Sequence, residues 1–170
     1  MRDFFASAEV LKDALPSGKS LTLVGGCFDL FHVGHLHVLR HASELEELLV
    51  VGVLSDSFIR SYKGMNRPVI PEAQRAAIVA NIGFVDYVFI ANESPNHAKT
   101  LELLRPQTVV FGEEPGTEEK VNLRTERIRL ILPQTRVVLL PRYEKETVST
   151  SSIIKLISGE ETEQCERIPA

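Results

Sequence analysis

Two histidines three residues apart, His32 and His35, follow a pair of glycines in the run GGCFDLFHVGH, Gly25 to His35. Glycine lets a backbone approach a ligand closely. The apolar LTLV precedes the run, and Leu36, Leu39, Ala42 and Leu45 follow it at helical spacing, so it leads from a strand into a helix. A helix N-terminus offers free N–H groups and partial positive charge to an anion. Imidazoles at i and i+3 fall on one face of that first turn. There they can donate to phosphate oxygens without a permanent charge, so the run reads as a phosphate-binding loop. GxxxxGK[ST] and GxGxxG are both absent, which excludes the common kinase and dinucleotide loops. HVGHLH with Asp29 could ligate a metal, but that would leave the Gly-Gly and the strand–helix context unexplained. A surface role suits His37 and His41.

The elements that must position this loop alternate along the chain. Val10, Leu11, Ala14 and Leu15 are spaced for a short helix ended by Pro16-Ser17-Gly18. Strands are expected from Leu21, at Leu48–Leu54, at Tyr87–Ala91, in QTVVFG ending at Gly112, and in RVVLLP. The Leu48–Leu54 run, apolar throughout and β-branched, suits a parallel strand buried on both faces. Helices are expected from Gly34 to about Leu45, over EAQRAAIVANI, at Asn96–Leu104, at Glu118–Leu132 and at Ser149–Ile157, with a polar stretch over Ser55–Pro71. Strands alternating with helices predict an α/β fold with a mostly parallel, doubly wound sheet of about five strands. Ligands of such sheets bind beyond the carboxyl ends of the strands. Gly26, Asp56, Gly112 and Arg142 each follow a predicted strand and so converge on one edge.

The 170 residues predict one domain over 1–158, with a helical extension at 1–20 and a polar tail at 159–170. A net charge of −4 argues against non-specific nucleic-acid binding. Cys27 lies in the loop and Cys165 in the tail, so no disulfide framework is expected, and a reducing, cytoplasmic setting fits. The N-terminus carries acids and no long apolar stretch, unlike a secretory signal. No window approaches the roughly 18 apolar residues of a membrane span.

At these residues the chain resembles the cytidylyltransferase-like family of nucleotidyltransferases. GCFDLFHVGH, Gly26–His35, matches the family's GxFDxxHxGH in full. VGVLSD (Val51–Asp56) and FVDYV (Phe84–Val88) resemble its second and third strands. YKGMNRPVIPEAQR (Tyr62–Arg75) resembles the lysine loop and next helix of glycerol-phosphate, ethanolamine-phosphate and ADP-heptose synthases. VSTSSII (Val148–Ile154) is similar to the family's ISTT or ISTS helix start. The resemblance implies a Rossmann-like sheet of HxGH nucleotidyltransferase type. It also implies the reaction: a small phosphorylated acceptor attacks the α-phosphorus of an NTP and pyrophosphate leaves. There is no covalent enzyme intermediate, and Mg²⁺ accompanies the NTP.

By the same resemblance His32, His35, Lys63 and Arg142 are catalytic. Gly26, Cys27, Phe28 and Gly34 face the nucleotide, with Cys27 a small packing residue and not a nucleophile. Gly112 and Glu113 stand where relatives place Gly-Asp near base and ribose. Ser149, Thr150 and Ser151 open the last helix, either capping it or offering its N–H groups to phosphate. Asp56, Lys63, Arg75 and His97 surround the acceptor. Alternatives stand beside several of these: a helix cap for Asp56, a helix-surface salt bridge for Arg75, a solvated side chain for Lys63. Arg67 is a weaker candidate near Lys63. His97 replaces the Lys or Arg that relatives often carry, and two extra residues separate Arg142 from VSTS.

LPR before the last motif, and DLFHVGH with YKGMN, favour CTP, with glycerol 3-phosphate or ethanolamine phosphate as acceptor. The rival is adenylyl transfer from ATP to a sugar phosphate such as heptose 1-phosphate. A nucleotide-binding regulatory module without turnover is the alternative from another class. The expected partners are thus an NTP, a small phosphorylated acceptor and, by family habit, a second copy in a homodimer.

Overall fold

The computed structural model describes residues 3–94, 96–113, 118–141, 143 and 149–159. Five strands form one sheet: β1 (Leu21–Gly26), β2 (Leu48–Leu54), β3 (Tyr87–Ala91), β4 (Thr108–Gly112) and β5 (Arg136–Leu140). Their order is β3-β2-β1-β4-β5 and every pairing is parallel. The sequence expected a mostly parallel sheet of about five strands, and the sheet is that. The chain moves outward from β1 to β3, then returns to β4 on the other side of β1. The order therefore reverses between β1 and β4, the place where such sheets bind ligands.

Strand side chains point alternately to opposite faces, and here they feed two cores. Leu23, Val50, Phe89 and Val109 pack with Leu11 of α1 (Ala8–Lys12), Leu101 of α5 (Ala98–Leu104) and Ile128 of α6 (Glu118–Ile131). Val24, Val51, Val88 and Val110 pack with Leu39 of α2 (Val33–Ala42) and Val79 of α4 (Glu72–Ala80). The near-continuous apolar runs are thus explained: both faces are covered.

The structure differs from expectation in three places. Within the polar Ser55–Pro71 stretch lies α3 (Asp56–Lys63), whose only buried residue is Ile59. One buried side chain in eight leaves too faint a periodicity to read. Before α1, Phe5 forms a bridge with Phe89: its N–H donates to Val88 O at 2.8 Å and its carbonyl accepts from Ile90 N–H at 3.0 Å. The N-terminal extension therefore also covers part of an edge strand, which an open sheet otherwise exposes. Finally, α7 (Thr150–Ser158) has no fully buried residue, and Ile157, expected on its apolar face, is 79% exposed. No helix among the described residues is long and apolar enough to cross a membrane.

Candidate active site

The loop after β1 is built around two conformations that L-residues seldom adopt. Phe28 has φ 51° and Leu30 φ 46°, in the left-handed region. They flank Asp29, which is buried. Gly26 makes room for the fold of this loop: a Cβ there would come within 3.0 Å of the Phe28 ring. That ring packs beneath His35, with centroids 5.4 Å apart.

His32 caps α2. Its Nδ1 accepts from Gly34 N–H at 3.1 Å, while its own N–H donates to His35 Nδ1 at 3.4 Å. The two rings stack with centroids 3.9 Å apart. Because Nδ1 is the acceptor in both rings, a neutral imidazole carries its proton on Nε2. Each ring is then a donor at Nε2. Burial, reinforced by His32 and Lys63, pushes the His35 imidazole down to about 3 against a smaller upward pull from Asp29. His35 is therefore neutral at physiological pH, as the helix cap requires.

Asp29 does not turn toward a metal. Its carboxylate accepts from Val69 N–H at 3.0 Å, Ile70 N–H at 2.9 Å and Arg67 Nε–H at 3.1 Å. Burial raises its pKa, but those amides and the Arg67 charge outweigh burial and hold it below the ordinary carboxylate range. His37 and His41 lie with ring centroids 4.2 Å apart and planes tilted by 52°, and the His37 ring centroid lies 5.2 Å from that of Tyr143. Among the described residues no group of three His, Cys, Asp or Glu is placed to hold a metal ion.

Lys63 ends α3, and its charge is felt at both His35 and Cys27. Burial raises the Cys27 thiol, so it stays protonated, and its side chain packs against the core. Ser149 caps α7 through a reciprocal pair with Ser152, at 3.1 and 2.8 Å. Thr150 instead donates to the Asp29 carbonyl at 2.9 Å. The loop, the Lys63 segment and the α7 start are thus brought together. Ser151 is exposed. Gly112 lies across from α2, where a Cβ would meet Val38 at 3.2 Å, and Glu113 N–H donates to Leu140 O at 2.8 Å. Arg142 lies outside the described residues.

The residues assigned to the acceptor are arranged differently. Arg75 is fully buried. It donates to Ile70 O at 2.8 Å, Leu54 O at 2.7 Å, Asp56 Oδ1 at 2.7 Å and the Cys27 carbonyl. The salt bridge weighed for it exists, but inside the protein and not on a helix surface. Asp56 does not cap α3; Ser55 does, accepting from Phe58 N–H at 3.3 Å. His97 is the N-cap of α5 beyond β3, half exposed, with Glu93 at 3.1 Å. None of its described contacts reaches the phosphate loop. Sequence reasoning passed over the parts played by Asp29 and Arg67. The Asp inside GxFDxxH was the available signal.

The model of the cytidylyltransferase-like family matches residues 23–156, from β1 into α7. The chain belongs to this family. As a cytidylyltransferase-like protein it is a nucleotidyltransferase. It is 40% identical over 121 residues to the bifunctional protein HldE of Geotalea uraniireducens, covering 71% of this chain and 24% of that protein. To HldE of Vibrio parahaemolyticus it is 37% identical over 154 residues, covering 91% of this chain and 31% of that protein. The chain thus spans about a quarter to a third of the relatives it matches. The crystal structure of the lipopolysaccharide core biosynthesis protein from Thermoplasma volcanium superposes with a TM-score of 0.62 at 25% identity, over 75% of this chain and 100% of that one.

Proposed function

We propose that this chain transfers an adenylyl group from ATP to a sugar phosphate. The acceptor's phosphate oxygen attacks the α-phosphorus, the bond to the β-phosphate oxygen breaks, and pyrophosphate leaves with the electron pair. The observation that carries nucleotidyl transfer is the His32–His35 pair, two rings tied to backbone by Nδ1 and donating at Nε2 from a helix N-terminus. Donors fixed in advance cost no reorganisation as charge builds on the α-phosphate and leaving group. Lys63 adds a positive charge that reaches His35. Arg142 is assigned to the same task.

The choice of ATP and a sugar phosphate is supported by the HldE relatives. A second reading, CTP with glycerol 3-phosphate or ethanolamine phosphate, is favoured by the LPR segment before the last motif. Gly26, Cys27, Phe28 and Gly34 would line the phosphates with backbone. Gly112 and Glu113 would meet base and ribose, and Ser149, Thr150 and Ser151 the nucleotide phosphate. Lys63 and His97 would meet the acceptor, while Arg75 and Asp56 hold the loop from below. Mg²⁺ would arrive on the triphosphate and shield its charge. Asp29 is already taken by N–H donors, so phosphate oxygens and water would hold the ion. A homodimer and a cytoplasmic setting belong to the same proposal.

The test is pyrophosphate release from ATP and CTP, each with heptose 1-phosphate, glycerol 3-phosphate and ethanolamine phosphate. Turnover is expected with ATP and the sugar phosphate. Turnover with CTP and an alcohol phosphate alone would select the second reading, and none with any pair would leave a regulatory module.

A further inference from the structure

Asp29 stands at the meeting point of three segments. Its carboxylate holds the backbone of Val69 and Ile70 and the side chain of Arg67. Its carbonyl accepts from Thr150 at the start of α7. It lies inside the phosphate loop, three residues before His32. The grip continues toward Lys63: Arg67 N–H donates to Gly64 O at 3.2 Å, and Gly64 N–H donates to Arg60 O at 3.1 Å, closing the end of α3. Asp29 is 1% exposed and the Arg67 side chain 15%, so this is a built connection and not a surface pair.

We infer that Asp29, through Arg67, is a positioning residue that fixes the Lys63 segment to the histidine loop, so that the two grip a polyphosphate as one unit. This rests on the reading of the site as a nucleotidyltransferase. The physical reason lies in the strain around Asp29. Phe28 and Leu30 hold left-handed backbone, which persists only where surroundings over-determine it. Three N–H donors on one carboxylate supply that constraint. Without it, the Gly64–Ile70 segment keeps no described tie to the loop except the Arg75 bond to Ile70 O, and Lys63 is no longer held in place for a phosphate chain that His32 and His35 bind.

The test is a double-mutant cycle on binding of inorganic pyrophosphate, measured by titration calorimetry. The full chain is used with Lys63→Ala, Asp29→Asn, Arg67→Met and the two combinations with Lys63→Ala. In the otherwise native protein Lys63→Ala should weaken binding about tenfold, equivalent to about 1.4 kcal/mol. In the Asp29→Asn or Arg67→Met background the same change should cost less than about twofold, because Lys63 is already displaced. Arg67→Lys should restore most of the dependence on Lys63. Should Asp29→Asn fail to fold, Arg67→Met decides alone, since it leaves both amide bonds to Asp29. A merely structural part for Asp29 or Arg67 would lower the melting temperature and leave the Lys63 effect tenfold in every background. That outcome overturns the inference while leaving the enzyme reading intact. Absence of any pyrophosphate or ATP binding by the native chain would overturn both.

Discussion

The phosphate loop and the acceptor side were built to different standards. In the loop, almost every polar group has a fixed partner: both histidine Nδ1 atoms, the Asp29 carboxylate and carbonyl, and the Cys27 carbonyl. Across β2, Asp56 and Arg75 are occupied with each other, and beyond β3 His97 is half exposed beside Glu93. A triphosphate is common to every NTP and can be met by a rigid site. The acceptor is what distinguishes one enzyme from another, and of the groups assigned to it Asp56 and Arg75 are spent on each other and on the loop, which leaves His97 open.

Replacing His32 or His35 by Ala breaks the comparison if the loop is not the catalytic half. Each should cut turnover roughly a hundredfold or more, by analogy with loss of one preorganised donor, with near-UV circular dichroism unchanged. Arg75→Met sharpens it. Removal of one partner from a buried pair should cost about 3 kcal/mol of stability, seen as a lower midpoint in urea. A contact with the acceptor would instead raise the acceptor's KM without moving that midpoint.

The protonation state of His35 gives a smaller but more specific effect. Its folded pKa, about 3, lies below the ordinary 6.5. The unfolded chain therefore binds a proton that the folded chain refuses. The contribution of His35 to stability is fully present above pH 6.5 and falls as the pH drops toward 3, by at most about 1.4 kcal/mol per pH unit. In His35→Gln the slope of stability between pH 6.5 and 4.5 should be shallower by one bound proton. Equal slopes would mean that His35 is already charged in the fold. His97→Ala should have the least effect of all: stability within about 0.5 kcal/mol, and a rise in acceptor KM with nucleotide KM unchanged.

The same contrast governs what was legible in the sequence. The strands were readable because β1, β2, β3 and β4 are largely buried on both faces and so are almost wholly apolar, with Thr22 and Thr108 the buried polar exceptions. The histidine pair was readable because its chemistry is local, set by positions i and i+3 and a helix start. Contacts made across the chain were not. Arg75 read as an acceptor contact or a helix-surface salt bridge, and only the fold brings the carbonyls of Cys27 and Leu54 within its reach. Asp29 entered the sequence reading only beside a metal alternative that was set aside, and its partners, the Arg67 side chain and the Val69 and Ile70 amides, are brought to it by the fold. The Phe5 bridge to β3 is a backbone pairing that side-chain pattern does not encode.

The most direct test of the account is pyrophosphate release from ATP with a sugar 1-phosphate, measured in parallel for the native chain and for His35→Ala at pH 7.5. The account predicts release by the native chain and a loss of roughly a hundredfold or more in the variant, with its fold retained. Equal release by the two proteins would show that the histidine pair does not carry the reaction.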